Sequence, residues 1–141
     1  MRLTRILQYL AAIGFGLSLF VHVAALLGAT PFGEAAFFLH GGIFVLAIPT
    51  MAITRGCDKR DTFDGCPAWM QTAFPILFAY AMFNFLRGAG HHGHDLTLAL
   101  RMFSGHWMIF YFAVFATLTA HIHRETPHDP SSPVARRYFP H

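Results

Sequence analysis

The chain has 141 residues, of which 55% are hydrophobic and only 12% charged, with a formal net charge of +3. This composition excludes an ordinary soluble domain, because so few polar side chains cannot cover a surface exposed to water. The basic balance does not indicate nucleic-acid binding, since the arginines stand between apolar runs and form no patch with interleaved aromatic residues. We therefore expect the lipid bilayer as a partner and no nucleic acid.

Four apolar stretches are long enough to cross a hydrocarbon layer about 30 Å thick. They predict helices at residues 6–28, 35–54, 67–86 and 102–122. The first stretch could alternatively be a signal peptide. The stretch is too long for the apolar region of a typical signal peptide, it contains His22, and no convincing cleavage site follows it, so we expect a retained helix. The predicted fold is an all-α four-helix transmembrane bundle over residues 1–123, with a flexible Pro-rich tail over residues 124–141.

The orientation of the bundle follows from the positions of lysine and arginine. Eight of them fall on the side that holds both termini, and only Arg87 and Arg101 fall on the other. The positive-inside rule then places both termini in the cytoplasm and the loop over residues 88–100 outside. Trp69 and Trp107 stand near helix ends, where we expect them to join the interfacial aromatic belts.

Polar side chains within the predicted helices are few and gather at one depth. His22 lies roughly 9 Å from the outer end of its helix, His40 roughly 8 Å and His106 roughly 6 Å, with Asn84 at a similar level. A polar group in lipid costs free energy unless it faces protein, water or a ligand. We call these four residues the polar layer and predict it as the binding site.

Helical periodicity predicts which way each histidine points. Each shares a face with mostly small residues, as close helix packing in lipid requires. The predicted inward residues are Ala11, Ser18 and Ala25 beside His22, Ala36, Ala47 and Met51 beside His40, and Ala113, Thr117 and Ala120 beside His106. The predicted lipid-facing residues are Ile13, Leu17, Phe20 and Leu27 on the first helix and Met108, Phe112, Phe115, Leu118 and Ile122 on the fourth. All three histidines are thus expected to face the bundle interior.

Three imidazoles and one amide at one depth suit a haem b, which takes two axial histidines, or a tetrahedral Zn or Cu centre. The alternative is structural, with each histidine hydrogen-bonded to a neighbouring helix near the interface, where polar groups cost less. No motif spacing decides between the two, so both interpretations stay open.

The predicted external loop holds a second histidine-rich group, His91, His92, His94 and Asp95. Short histidine-rich tracts bind Cu, Ni or Zn, and this one is expected just above the polar layer, where it could load a buried site. The alternative is a polar loop that contacts only water and lipid headgroups.

Cys57 and Cys66 bracket the loop between the second and third helices. On the predicted topology this loop is cytoplasmic, so the thiols are expected to be reduced. Their separation is wider than that of a usual zinc knuckle, which favours a charge-balanced hairpin loop over a metal site. A disulfide would fit an inverted topology.

Three stretches, residues 39–45 (LHGGIFV), 78–85 (FAYAMFNF) and 103–108 (FSGHWM), resemble those of small four-helix bacterial membrane proteins of uncharacterised function. The resemblance covers the helical two-thirds of the chain. It implies the four-helix topology and a bacterial inner membrane, and it draws notice to His40, Asn84 and His106. It implies no activity.

Three functions follow as hypotheses. The first is a haem- or metal-binding bundle for electron transfer or metal handling. The second is a non-catalytic subunit or assembly factor of a larger membrane complex, with other membrane subunits or further copies of the chain as partners. The third is a small oligomeric transporter or channel. No phosphate loop, nucleophile elbow or paired intramembrane carboxylate indicates an enzyme, and whether the chain is one stays open.

Overall fold

The computed structural model describes residues 2–55, 66–89 and 95–125, and every regular element in these ranges is helical. The α-helices are α1 (Arg2–Leu26), α2 (Phe38–Ile53), α3 (Ala68–Ala89) and α4 (Leu96–Glu125), and a short 3-10 helix (Gly33–Phe37) precedes α2. The predicted all-helical fold is confirmed. The first two residues of the predicted tail, 124 and 125, belong to α4, and the rest of that tail lies outside the described residues.

Three of these helices are long and apolar enough to cross a membrane, namely α1, α4 and the stretch Gly33–Ile53 that contains α2. This indicates a membrane protein. α3 has 22 residues but is not among the three, because Gln71, Pro75 and Asn84 lower its mean hydropathy. The crossing of a fourth helix therefore stays a prediction.

Helix α4 is the centre of the molecule, and α1, α2 and α3 all pack against it. Its side chains are covered on nearly every side, since Met108, Phe112 and Leu118 are buried and Phe115 is half-buried. The prediction that these residues face lipid is wrong. Lipid and the bundle interior are both apolar, so hydrophobic periodicity cannot distinguish a face that packs against other helices from one that faces lipid.

Helix α1 has the two faces that its sequence predicts. Ala11, Ser18 and Ala25 are fully buried beside His22, whereas the bulky residues opposite are exposed, at Ile13, Leu17, Phe20 and Leu27. Small residues let α1 and α4 approach closely over most of their length. The predicted inward face of α1 is confirmed.

Ala36, just before α2, is buried as predicted, but α2 itself turns a different face inward from the one predicted. Its buried residues are Ile43, Leu46 and Thr50, whereas His40 and Met51 are exposed. The prediction extended the α-helix back to Ala36, but that residue belongs to the 3-10 helix, whose different period shifts the face. The prediction that His40 points into the bundle is therefore wrong.

Tyr111 joins three helices at the middle of the molecule. Its hydroxyl donates a hydrogen bond to the carbonyl oxygen of Leu39 on α2, at 2.7 Å. The ring passes over Gly14 of α1, and the hydroxyl lies over Gly42 of α2, where an added Cβ would collide with it. Both glycines are therefore required by the close approach of one tyrosine.

The ends of the helices differ from the predicted ones for identifiable local reasons. After α1, Gly28 has a positive φ of 80°, and Gly28 and Ala29 donate backbone hydrogen bonds to Ala25 and Ala24, which is a Schellman termination. Helix α4 begins at Leu96, six residues before the predicted start, so residues 96–100 of the predicted external loop are helical.

Candidate functional site

His22 of α1 lies at the centre of a hydrogen-bond network that joins three helices. Its side chain is 2% exposed, its Nδ1 lies 2.9 Å from the Ser104 hydroxyl on α4, and its Nε2 lies 2.7 Å from the Tyr80 hydroxyl on α3. The Ser104 hydroxyl in turn donates to the Arg101 carbonyl oxygen, at 3.4 Å. The consistent set of donors is then Tyr80 O–H to Nε2, Nδ1–H to Ser104, and Ser104 O–H to Arg101.

This network has a direct chemical consequence. Because both ring nitrogens of His22 already have partners, neither presents a lone pair to a metal or haem iron. A buried imidazole that is satisfied on both nitrogens stabilises the packing of α1 against α3 and α4. In this arrangement His22 serves as a link between helices.

His40 of α2 has a different environment, because its side chain is exposed. The indole N–H of Trp107 on α4 donates to His40 Nδ1 at 3.2 Å. An indole nitrogen only donates, so Nδ1 must be the acceptor and the neutral ring carries its proton on Nε2. That Nε2–H points away from Trp107 and has no hydrogen-bond partner among residues 2–55, 66–89 and 95–125.

Trp107 holds the His40 ring from inside the bundle. It is fully buried, and its ring packs edge-on against Phe37 at 5.6 Å between centroids. The prediction that Trp107 belongs to an interfacial aromatic belt is therefore wrong. Its position near a helix end suggested an exposed side chain, but α4 is surrounded at this level by other helices.

His106 of α4 is half-buried and packs edge-on against Phe85 of α3, at 5.1 Å. Its Nδ1–H donates to the carbonyl oxygen of Met102 at 3.0 Å, which leaves the lone pair on Nε2. A ring held in this way is the usual form of a metal-ligating histidine. His106 is thus the member of the polar layer whose tautomer suits a metal.

The three histidines of the polar layer lie at the same turn of α4. His22 contacts Ser104, His40 contacts Trp107, and His106 stands between Ser104 and Trp107 in the sequence. Each nevertheless has its own partners. Within the part of the chain that the structure describes, no three His, Cys, Asp or Glu side chains come together in a group that could hold a metal ion. The layer consists of separate hydrogen-bonded groups there.

Asn84 and Asp95 each have a local structural partner. Asn84 donates from Nδ2 to the Tyr80 carbonyl oxygen, at 2.9 Å, one turn earlier in α3. Asp95 accepts a hydrogen bond from the backbone N–H of Thr97 at 2.9 Å, so it is the N-cap of α4. His91, His92 and His94 lie outside the described residues, and their predicted metal site stays a prediction.

Sequence reasoning missed Tyr80, Ser104 and Trp107 as partners of the histidines. Serine and tyrosine are common in membrane helices and do not stand out without a three-dimensional neighbour. The one available signal was the spacing of Ser104 and Trp107, one helical turn apart and on either side of His106.

The described surface also carries an apolar groove of about 540 Å³ between α1 and α3. Phe112 and Phe115 of α4 form its floor, and Phe15 and Trp69 are among its walls. The lining is almost entirely carbon, so the groove offers contact area and no group for chemistry.

Comparisons of the chain with protein-family models, with curated proteins and with solved structures find no match. The resemblance to small four-helix bacterial membrane proteins therefore stays an expectation.

Proposed function

We propose that the chain is a non-catalytic subunit of a larger membrane complex and docks to a helix of another subunit through the exposed face of α2. The observation that carries this proposal is the outward Nε2–H of His40 on an otherwise apolar helix face. The proposal includes a bacterial inner-membrane location, four crossing helices and cytoplasmic termini.

The packing of α3 supports a fourth crossing. Gly105 of α4 packs against Ala81 of α3, and near the start of α3 the thiol of Cys66 donates to the Ala116 carbonyl oxygen at 3.1 Å. α3 therefore runs antiparallel to α4 over at least the stretch from residue 105 to residue 116. A helix that follows a membrane-spanning neighbour in this way traverses the same depth, and its moderate hydropathy is acceptable because α4 covers one side.

The arrangement of the helix ends supports a common side for the termini. The side chain of Gln8 near the start of α1 donates to Thr119 near the end of α4, at 2.8 Å. Arg2, Arg5 and Arg124 therefore lie towards the same end of the bundle, opposite Arg101. This separation agrees with the positive-inside rule and with cytoplasmic termini.

The face of α2 has the composition of a helix–helix interface. Phe44, Val45 and Ile48 are exposed to 57%, 71% and 68% around His40. Beside His40, an added Cβ at Gly41 would meet nothing within 4 Å, so a partner backbone can approach closely. Small residues and interhelical hydrogen bonds are what hold membrane helices together.

An outward N–H in lipid costs free energy, because hydrocarbon offers it no acceptor. A partner helix with a serine, threonine, asparagine or free carbonyl oxygen at this level would supply one. Such an interhelical hydrogen bond contributes about 0.6–2 kcal/mol. This requirement favours a protein neighbour of α2 over lipid alone.

Photo-cross-linking in native membranes tests the proposal. A benzophenone amino acid at Val45, on the exposed α2 face, is expected to form a protein adduct. The yield of this adduct is expected to fall several-fold in the His40→Ala variant. The matched control is the same group at Ile13, which is 57% exposed on α1 and is expected to label lipid only.

The outcome also separates the other functions. Adducts of twice the chain's mass would identify a second copy as the partner, and equal lipid labelling at both positions would contradict the proposal. Purification in mild detergent with an absorption spectrum and elemental analysis tests the haem and metal hypotheses. A Soret band or stoichiometric metal that the His106→Ala variant loses would support them.

A further inference from the structure

A small polar pocket lies where α3 ends and α4 begins, away from the α2 face. Its volume is about 140 Å³, and it is lined by Asn84, Arg87, Gly88, Leu98 and Arg101. Two arginines and one asparagine therefore line one space. At about 30 Å³ per water molecule, the volume holds a group the size of four or five waters, which suits a phosphate group.

Arg101 is the lining residue that most needs a hydrogen-bond acceptor. Its Nε is buried, and no hydrogen-bond acceptor for it exists among the described residues. A buried, charged donor without an acceptor is costly, and the planar guanidinium presents its N–H groups in a fork that matches the oxygens of phosphate. The pocket is therefore lined by an arginine whose Nε lacks an acceptor among the described residues and whose guanidinium is of the kind that binds oxyanions.

The surroundings add positive potential. Arg87 lies in the last turn of α3, with its guanidinium 5.6 Å from the centre of the Phe83 ring, so the charge is held at this end of the molecule. Leu98 belongs to the first turn of α4, whose N-terminal end carries the positive part of the helix dipole, offset in part by the Asp95 carboxylate that caps it. Asn84 can add a polar contact at the pocket wall.

The position along the helices indicates the source of the anion. Arg101 is the sixth residue of α4, so it lies about 8 Å from the helix start, and Arg87 is two residues from the end of α3. Arginines near the ends of membrane helices extend towards the headgroup region, where phosphate groups are concentrated.

We infer that Arg101, Arg87 and Asn84 bind a phosphate group, supplied by an anionic lipid headgroup. This inference does not depend on the docking face of α2, because the pocket belongs to α3 and α4. Free inorganic phosphate has the same chemistry and is distinguished by experiment.

The test uses the full chain in detergent with three probes: phosphatidylglycerol, diacylglycerol, which lacks the phosphate, and inorganic phosphate. Bound lipid is counted by native mass spectrometry, and stability is followed by thermal unfolding. We expect phosphatidylglycerol to bind and to raise the Tm, and diacylglycerol to do neither. The Arg101→Gln variant is expected to bind about tenfold or more weakly, equivalent to about 1.4 kcal/mol or more.

Arg55→Gln is the matched control, since Arg55 is an exposed arginine just after α2, and it is expected to leave binding unchanged. Arg101→Lys keeps the charge but loses the planar fork, so it is expected to bind less than the parent chain even if Arg101→Gln fails to fold. Stabilisation by inorganic phosphate that Arg101→Lys reduces would support the site with free phosphate as its ligand. Equal binding by the Arg101→Lys and Arg55→Gln variants, or no binding of either phosphate probe, would overturn the inference.

Discussion

Helices α1 and α2 belong to stretches of equal mean hydropathy, and each carries one histidine, yet the two histidines differ in burial and in hydrogen bonding. His22 on α1 is 2% exposed and has partners on two other helices. His40 on α2 is exposed and has one hydrogen-bond partner in the described part of the chain, the indole of Trp107. The same residue type in a membrane helix thus serves as an internal link in one place and as an outward donor in the other.

The difference arises from how far each helix is covered. α1 packs along α4 with a face of small residues, and Tyr80 of α3 reaches the same histidine. α2 buries only Ile43, Leu46 and Thr50 and leaves half of its residues exposed. A satisfied histidine indicates stability, and a half-satisfied one on an uncovered helix indicates an interface, so function is better sought at α2.

The largest expected effect separates the two histidines directly. His22→Ala removes the buried ring and leaves the Tyr80 and Ser104 hydroxyls without it, so we expect a loss of about 2–5 kcal/mol in the free energy of unfolding. His40→Ala in the isolated chain is expected to cost less than about 1 kcal/mol, because an exposed site leaves no cavity. Reversible unfolding in mixed detergent micelles, followed by tryptophan fluorescence, measures both.

Two milder variants show whether the loss of stability in His22→Ala comes from the hydrogen-bond network. Ser104→Ala and Tyr80→Phe each remove one partner of His22, and each is expected to cost about 1–3 kcal/mol. Combined, their effects should not add, since both act through one ring. Equal losses for His22→Ala and His40→Ala would remove the distinction between the helices.

A second prediction uses the adjacent glycines of α2. An added Cβ at Gly42 would collide with the Tyr111 hydroxyl, whereas one at Gly41 would meet nothing. We expect Gly42→Ala to lower the free energy of unfolding by about 1–3 kcal/mol, because Tyr111 must shift and lose its bond to Leu39. Gly41→Ala is expected to be neutral or to stabilise by up to about 1 kcal/mol through helix propensity.

The pair of glycine variants also sharpens the docking proposal. Gly41→Ala should weaken the cross-link from Val45 although it leaves the isolated chain intact, because it narrows the space for a partner backbone. Adding Tyr111→Phe to Gly42→Ala should recover part of the lost stability, since the colliding atom is the hydroxyl oxygen. Equal destabilisation by Gly41→Ala and Gly42→Ala would contradict this account of the Tyr111 contact.

The elements and the inner face of α1 were predictable, because apolar length and the clean alternation of small and bulky residues are local properties. The faces of α2 and α4 were not. Which helix occupies the centre is a property of the whole assembly, and the 3-10 helix before α2 shifts its register. Ser104, Tyr80 and Trp107 could not be paired with their histidines, since each bond joins residues more than 50 positions apart.

The start of α4 could have been predicted. Asp95 precedes an apolar run and is a favoured N-cap residue, but its neighbourhood of histidines drew attention to metal binding. The pocket of Arg87 and Arg101 could not be predicted from the sequence, because the antiparallel packing of α3 and α4 is what brings the two arginines together.

The smallest expected effect concerns Cys66, whose thiol donates a hydrogen bond to the Ala116 carbonyl oxygen inside the bundle. Burial raises the pKa of the Cys66 thiol and outweighs two opposing effects, a backbone hydrogen bond at Ala120 and the charge of Arg124. Because the thiolate is the reacting form, alkylation by iodoacetamide should rise with pH around a midpoint above the ordinary thiol range, about 8.5. The measurement uses the Cys57→Ser chain, so that one thiol reports.

The same chain unfolded in SDS is the control and should show the lower, ordinary midpoint. The neutral thiol favours the folded state at pH values below the ordinary thiol pKa, and this contribution to stability is lost as pH rises through the higher pKa of the folded chain. Cys66→Ala should lack that decline. A midpoint in the folded chain at or below that of the unfolded chain would show that Cys66, unlike His22, is not held inside by its packing against α4.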